Sequence, residues 1–392
     1  MTRLRVLSLS TLYPNAAQPN FGVFVERQMQ AVARRGDVDL TLVSALGLPP
    51  FPLSLHPRYR ALARLPQAEE RGGVRVLRPR FRLLPGIGGR FNARRLAAAV
   101  LPLARRLHAE APFDVVDAQF LYPDGPAAVA VARALGLPVS LKARGADVHL
   151  WGTAPATAGQ VREAASAADG LLAVSEGLAE DLAALGAPRE RITVHRTGLD
   201  AGRFRPLDAR MCRDSLGLPR EVPVLACVGA LIPRKGQALA IEALVQVPDA
   251  ILVLAGTGPD ENALRSQAER LGVAERVRFL GAVPHGDLPL LLNAADLFVL
   301  PTASEGLANA WVEALACGTP VVTSAIPGAR ELITAPEYGR LVAREAGAIA
   351  AAVRELLAAP PPREAVARAV EGYSWEANAA ALVAHWQALA GR

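Results

Sequence analysis

The chain has 392 residues, about half apolar and a fifth charged, with a net charge of +6 and three cysteines. That length exceeds one ordinary domain and that composition excludes a disordered chain, so two globular cores are expected. No apolar run approaches the roughly 20 residues that cross a bilayer. Cys212, Cys227 and Cys317 stand far apart with no C-x-x-C spacing, and no two histidines form H-x-x-x-H. A disulfide framework and a protein metal site are therefore not expected, and a reducing cytoplasm is.

The basic start Met1-Thr2-Arg3-Leu4-Arg5 precedes a short apolar run without a small-residue cleavage site, which leads into Thr11-Leu12-Tyr13-Pro14. It reads as a first buried strand over 6–10, not a signal peptide. Further β-branched runs predict strands over 39–44, 73–77, 115–118, 139–143 and 170–174. Alanine- and leucine-rich stretches predict helices over 24–35, 92–111, 125–135 and 176–185. The four prolines of 47–57 predict an irregular loop.

Between His56 and His108 thirteen arginines face only Glu69 and Glu70, so this segment carries +11 and the rest of the chain −5. Such a field attracts anionic membranes, nucleic acids or phosphorylated substrates, unless arginine is simply the default solvated residue here. The helix over 92–111 sets Arg94, Arg95, Arg105 and Arg106 beside Leu96, Val100, Leu103 and Leu107. That mixture suits an interfacial helix, and also an ordinary packed helix with a wet face.

After a linker over 197–223, a second series predicts strands over 224–228, 250–255, 277–280, 297–300 and 320–324. Helices over 237–245, 261–271, 288–294, 309–316 and 346–358 fall among them, and one more over 374–390 carries Trp375 and Trp386. Repeated strand–helix alternation means parallel sheets, here in two doubly wound domains with ligand crevices at the carboxyl ends of their strands. The expected domains are 1–200 and 201–373, with a terminal helix in 374–392 that packs back on the first.

Chemistry concentrates in the second domain. The strand 224–228 runs into Gly229-Ala230-Leu231-Ile232-Pro233-Arg234-Lys235-Gly236, a glycine-bounded loop with two cations that opens a helix. This is a phosphate cradle without the Walker spacing. Gly256-Thr257-Gly258-Pro259 is a further glycine turn. Ser304-Glu305-Gly306-Leu307-Ala308-Asn309-Ala310-Trp311-Val312-Glu313 puts Glu305 in a strand-to-helix loop. Glu313 then stands about two turns up a helix expected to start near Leu307, whose first N–H groups favour an anion. Cations for a diphosphate and carboxylates for sugar and ribose hydroxyls make a nucleotide-sugar site.

These motifs resemble the family 4 glycosyltransferases, retaining enzymes of the GT-B fold that build capsular, exopolysaccharide or cell-wall polymers. Gly229…Gly236, Gly256–Pro259, Phe279-Leu280-Gly281, Ala294-Ala295-Asp296 and Glu305-x₇-Glu313 match in order, followed by Ala314-Leu315-Ala316-Cys317-Gly318-Thr319-Pro320-Val321-Val322. In the first half, Asn20-Phe21-Gly22-Val23, Tyr122-Pro123-Asp124-Gly125, Arg144-Gly145-Ala146-Asp147 and the Thr197-Gly198-Leu199-Asp200 linker match as well. The resemblance implies two Rossmann-like domains facing a central cleft, an acceptor in the first and a nucleotide-diphosphate sugar in the second. It implies that Glu305 contacts the donor hexose and Glu313 the ribose, and that Lys235 and Arg234 neutralise the diphosphate. Gly306, Leu307, Ala308 and Asn309 assist through their backbone, and Gly256, Gly281, Val283 and the Gly22 loop line the donor site. Arg144 and Asp147 stand with the catalytic groups.

Two departures matter. Many members carry arginine where Ala230 stands and histidine where Arg144 stands, and arginine cannot act as a base at neutral pH. Asp37-Val38-Asp39 mimics the D-x-D metal motif of the other glycosyltransferase fold, but its place at a strand entry reads as a turn. The resemblance thus implies metal-independent transfer of a hexose to a glycan or lipid-linked acceptor. No cofactor and no nucleic acid partner are expected, and the cysteine usage and the +11 segment point to a cytoplasmic protein, peripheral on the anionic inner face of the plasma membrane. An epimerase or phosphorylase of the same fold, or a non-catalytic nucleotide-sugar or membrane binder, is the rival reading. A NAD-dependent dehydrogenase lacks its G-x-G-x-x-G.

Overall fold

Apolar runs fold here into parallel strands covered by helices, in a computed structural model that describes residues 3–86 and 88–392. The chain divides into two units, Met1–Gly198 with Trp375–Arg392, and Leu199–Ser374.

The strands of the first unit are β1 (Leu4–Leu9), β2 (Val38–Val43), β3 (Leu46–Leu48), β4 (Ala68–Arg71), β5 (Val74–Leu77), β6 (Arg80–Arg82), β7 (Val115–Ala118), β8 (Val139–Ala143), β9 (Gly170–Ala173) and β10 (Ile192–Val194). Eight form one sheet in the order β10-β9-β8-β7-β1-β2-β5-β4, and β3 pairs with β6 apart from it. Every pairing in the large sheet is parallel except the β4–β5 hairpin at its edge. The strand order reverses between β1 and β7, so the loops after these two strands open at a switch point, where such sheets bind ligands.

One apolar core joins Val6, Val25, Met29, Leu42 and Val76 to Leu382, Val383 and Trp386 of the terminal helix Trp375–Leu389. The Trp386 indole N–H also donates to Asp117 Oδ1 at 3.1 Å.

The irregular loop expected over 47–57 is partly ordered. β3 takes its start, a 3₁₀ turn covers Leu53–Leu55, and a helix runs from Pro57 to Ala63. Proline suits that first helical position because its missing N–H would have no partner there. The helix Asn92–Glu110 buries Ala93, Leu96, Val100, Ala104 and Leu107 and turns Arg94, Arg105 and Arg106 outward. Leu96 and Leu107 are spent on the core while Leu101 and Leu103 stay half-buried, so the helix packs on the unit and keeps a wet, arginine-bearing face. Part of the +11 is structural too. Fully buried Arg78 pairs with Glu69 and donates to Ser44 Oγ and the Pro14 carbonyl at 3.1 and 3.0 Å.

The second unit holds β11 (Val224–Val228), β12 (Ile251–Ala255), β13 (Val277–Gly281), β14 (Leu297–Leu300), β15 (Val321–Ser324) and β16 (Gly339–Val342). They form one parallel sheet in the order β13-β12-β11-β14-β15-β16, whose switch point lies between β11 and β14. β12, β14 and β15 are buried along their whole length, as strands covered on both faces must be. The expected linker contains a helix, Ala209–Ser215, that packs on the helix Leu288–Ala294. Among the described residues no helix is long and apolar enough to cross a membrane.

Candidate active site

The switch point of the second unit brings together the loops after β11 and β14. Lys235 Nζ lies 2.5 Å and Arg234 Nη1 2.8 Å from Glu305 Oε1. Glu305 and Lys235 keep only 13% and 15% of their side-chain exposure. Thr302 Oγ1 also reaches Glu305 Oε1, at 3.2 Å. The two cations expected on a diphosphate thus gather on the carboxylate expected on the hexose.

Backbone contacts hold the loops in register. The Arg234 carbonyl accepts from Ala303 N–H at 2.8 Å and from Thr302 Oγ1 at 3.2 Å. Arg344 ties both loops, its Nε donating to the Pro301 carbonyl and its Nη2 to the Pro233 carbonyl, each at 3.0 Å. Gly256, at φ 147°, allows the next turn to close against them, because a Cβ there would meet the Gly229 carbonyl oxygen at 1.9 Å. The Gly256 N–H donates to the Gly281 carbonyl at 2.7 Å, which fixes the end of β13 before half-buried Val283.

Gly306, Leu307 and Ala308 are buried, and the helix starts at Asn309 with Ala308 as its N-cap. Alanine has no side chain with which to cap the first N–H groups, which stay available to an anion. Glu313 stands about one turn up this helix, nearer its start than the expected two. Its Oε1 lies 2.7 Å from His285 Nε2, in the loop after β13. The His285 ring packs on Phe204 with centroids 5.3 Å apart, and among the described residues its buried Nδ1 has no hydrogen-bond partner.

The first unit gathers a second group at its own switch point. Gly22 caps the helix Val23–Arg35 at φ 77°, where a Cβ would strike the Leu12 carbonyl oxygen at 2.5 Å. Arg144 donates from Nε to the Gln119 carbonyl at 2.7 Å and from Nη2 to Gln119 Oε1 and Gln28 Oε1 at 2.5 and 3.0 Å. Its guanidinium lies 4.9 Å from the centre of the Phe24 ring. Burial lowers the pKa of this guanidinium, while Asp147 and Asp117 favour its charge.

Asp147 is fully buried and accepts the backbone N–H groups of Leu121, Arg144 and Gly145 at 3.0, 3.0 and 2.8 Å. Its carboxylate is committed to holding the Arg144 loop. Asp124 Oδ2 accepts from the Thr11 N–H and Oγ1 at 2.9 and 3.2 Å, linking the loop after β1 to the helix Asp124–Leu135. Burial pushes Asp124 up to about 7.

Behind Arg144 lies a buried set that sequence reasoning missed. Lys142 Nζ is 2.6 Å from His195 Nδ1 and 3.4 Å from Gln28 Oε1, and His195 Nε2 donates to the Asn378 carbonyl at 2.8 Å. Burial takes His195 down to about 2, so the ring is neutral and its Nδ1 accepts from Lys142. The D-x-D look-alike spends its charge on arginines, Asp37 with Arg35 and Asp39 with Arg5, both at 2.6 Å. All three cysteines are buried and free.

Comparison with known proteins gives the family and the fold. The family model for Glycosyltransferase Family 4 matches residues 21–203, and that for Glycosyl transferases group 1 matches residues 210–372. TuaC of Bacillus subtilis (strain 168), named as a teichuronic acid biosynthesis glycosyltransferase, is 30% identical over 358 residues, covering 89% of this chain and 88% of that one. The fold is shared with a sucrose-phosphate synthase from Thermosynechococcus elongatus at a TM-score of 0.83 and 20% identity, covering 99% of both chains. Anabaena HepE in complex with UDP superimposes with a TM-score of 0.74 at 20% identity, over 99% of this chain and 100% of that one.

Proposed function

Because this chain belongs to glycosyltransferase family 4, and so is a glycosyltransferase of the GT-B fold, we propose that it moves a hexose from a nucleoside diphosphate sugar to a glycan or lipid-linked acceptor with retention of configuration. The observation that carries the reading is the convergence of Lys235 and Arg234 on Glu305 at the switch point of the second unit. The UDP bound to the HepE structure and the polymer named for the Bacillus relative support the donor and acceptor classes.

In this mechanism the acceptor oxygen attacks the anomeric carbon on the face the nucleotide leaves. The bond from that carbon to the phosphate oxygen breaks, and the acceptor proton passes to the departing phosphate. Negative charge grows on the diphosphate, so fixed cations and helix N–H groups supply the stabilisation. Lys235, Arg234 and the N–H groups from Asn309 onward are those donors. Glu305 orients the hexose hydroxyls and Glu313 the ribose. Arg144 binds an acceptor group and does not act as a base, and Asp147 positions Arg144.

A thermal-shift screen of UDP, GDP, ADP and their sugars tests the donor half, since saturation at 100 times Kd adds about 2.7 kcal/mol of stability. Nuclear magnetic resonance of the product from an α-linked donor then shows an α-glycoside, formed equally well in EDTA. An inverted product, no stabilisation by any diphosphate, or activity lost to EDTA and restored by Mn²⁺ overturns the corresponding part.

A further inference from the structure

Residues 51–67 are largely exposed and stand apart from the main core of the first unit. Phe51, Leu53 and Leu55 are 78%, 52% and 58% exposed, three large apolar side chains within five residues. The following helix, Pro57–Ala63, and its cap carry Arg58, Arg60 and Arg64, all exposed. No acid occurs from Phe51 to Ala68. Within the segment only Leu62 and Leu65 are buried, in a small core shared with Leu46 and apart from the main one. The apolar tip lies outside both cores.

We propose that this segment docks on an anionic lipid bilayer. Phe51, Leu53 and Leu55 enter the boundary between headgroups and acyl chains, and Arg58, Arg60 and Arg64 bind lipid phosphates. Charge decides the occupant, because an acid-free tip followed by three arginines matches a surface that is apolar beneath and negative on top. Arginine stems cover apolar surface while their heads stay at the phosphates. The arginines of the helix Asn92–Glu110 have less of this partnership, since Leu96, Val100 and Leu107 beside them are buried and Leu103 is half-buried. The proposal rests on the function above only in that a lipid-linked acceptor lies at the same surface, and binding to vesicles is measured without donor or acceptor.

The test is co-sedimentation of the full chain with phosphatidylglycerol-containing vesicles and with pure phosphatidylcholine vesicles. Each arginine near the anionic surface contributes about fivefold, so R58S/R60S/R64S weakens partitioning about a hundredfold. F51S/L53S/L55S weakens it at least about tenfold and removes whatever binding survives 1 M salt, where the Debye length is only about 3 Å. R94S/R105S/R106S loses less than either. In the Phe51→Trp variant, indole emission shifts to the blue on anionic vesicles, which reads insertion without disturbing the rest of the segment.

The proposal fails if the wild type stays free of anionic vesicles at low salt, or binds neutral ones equally. It also fails if both serine variants sediment like wild type, or if the Phe51→Trp emission does not move. A dimer in solution that F51S/L53S/L55S converts to monomer, with vesicle binding unchanged, assigns the patch to a second copy and overturns the proposal. Nucleotide thermal shifts are the same in every variant, and their absence in the wild type counts against the donor site alone.

Discussion

Glu305 is held by two cations and Glu313 by an imidazole, and this difference separates what their removal does. On the proposed assignment, Glu305→Ala deletes the hexose contact but leaves Lys235 and Arg234 to the diphosphate. UDP or GDP affinity is expected to hold or tighten while turnover falls about tenfold to a hundredfold, the worth of hydrogen bonds to a charged group. Glu313→Ala is expected to weaken the nucleotide itself by a similar factor. Calorimetry with the bare diphosphate and a transfer assay distinguish the two, and wild-type transfer by both variants removes the assignment. These glutamates and Lys235 were legible in the sequence because glycine turns and a fixed seven-residue interval mark them. His285 and Arg344 were not. Each is a single side chain on an aperiodic loop, and its partners lie 28 residues away for His285 and 43 and 111 for Arg344.

Most of the buried parallel strands could be read to within a few residues because each is a short, mainly apolar run between polar turns. β4, with the sequence Ala-Glu-Glu-Arg, carries no such signal and exists because the Gly72-Gly73 turn folds it back on β5. The π-helical turn Asp147–Trp151 and the short strand β16 also escaped, both being set by neighbours more than by their own composition. The same dependence appears where Asp124 ties the helix Asp124–Leu135 to the loop after β1. Burial raises its pKa to about 7, against about 3.9 for a free aspartate. The unfolded chain thus loses this proton first. The stabilising effect is complete below about pH 4 and is lost as pH rises towards 7, at about 1.4 kcal/mol per unit of separation. Asp124→Asn keeps an oxygen for the Thr11 N–H and cannot ionise, so its Tm relative to wild type is expected to climb between pH 4.5 and 7.5. Parallel Tm curves across that range exclude this role.

The second unit is one continuous stretch, Leu199–Ser374, whereas the first is made of two pieces. Expressed alone, 199–374 is expected to fold cooperatively and to keep its nucleotide thermal shift. Residues 1–198 alone lack Leu382, Val383 and Trp386 and leave Asp117 without its indole donor. Removing three large core side chains at 2–5 kcal/mol each exceeds the stability of most domains. That fragment is expected to aggregate or to show no cooperative urea transition, and a sharp transition would show that the terminal helix is dispensable.

The helix Trp375–Leu389 also sets an order of events on the ribosome. The first unit stays open-faced until all of 199–374 has been made, with the apolar flank of the helix Val23–Arg35 bare throughout synthesis. A chain cut short anywhere before Trp375 cannot finish its own beginning. Its uncovered leucines and valines present it to chaperones and proteases, so incomplete copies are cleared by the same core that stabilises whole ones.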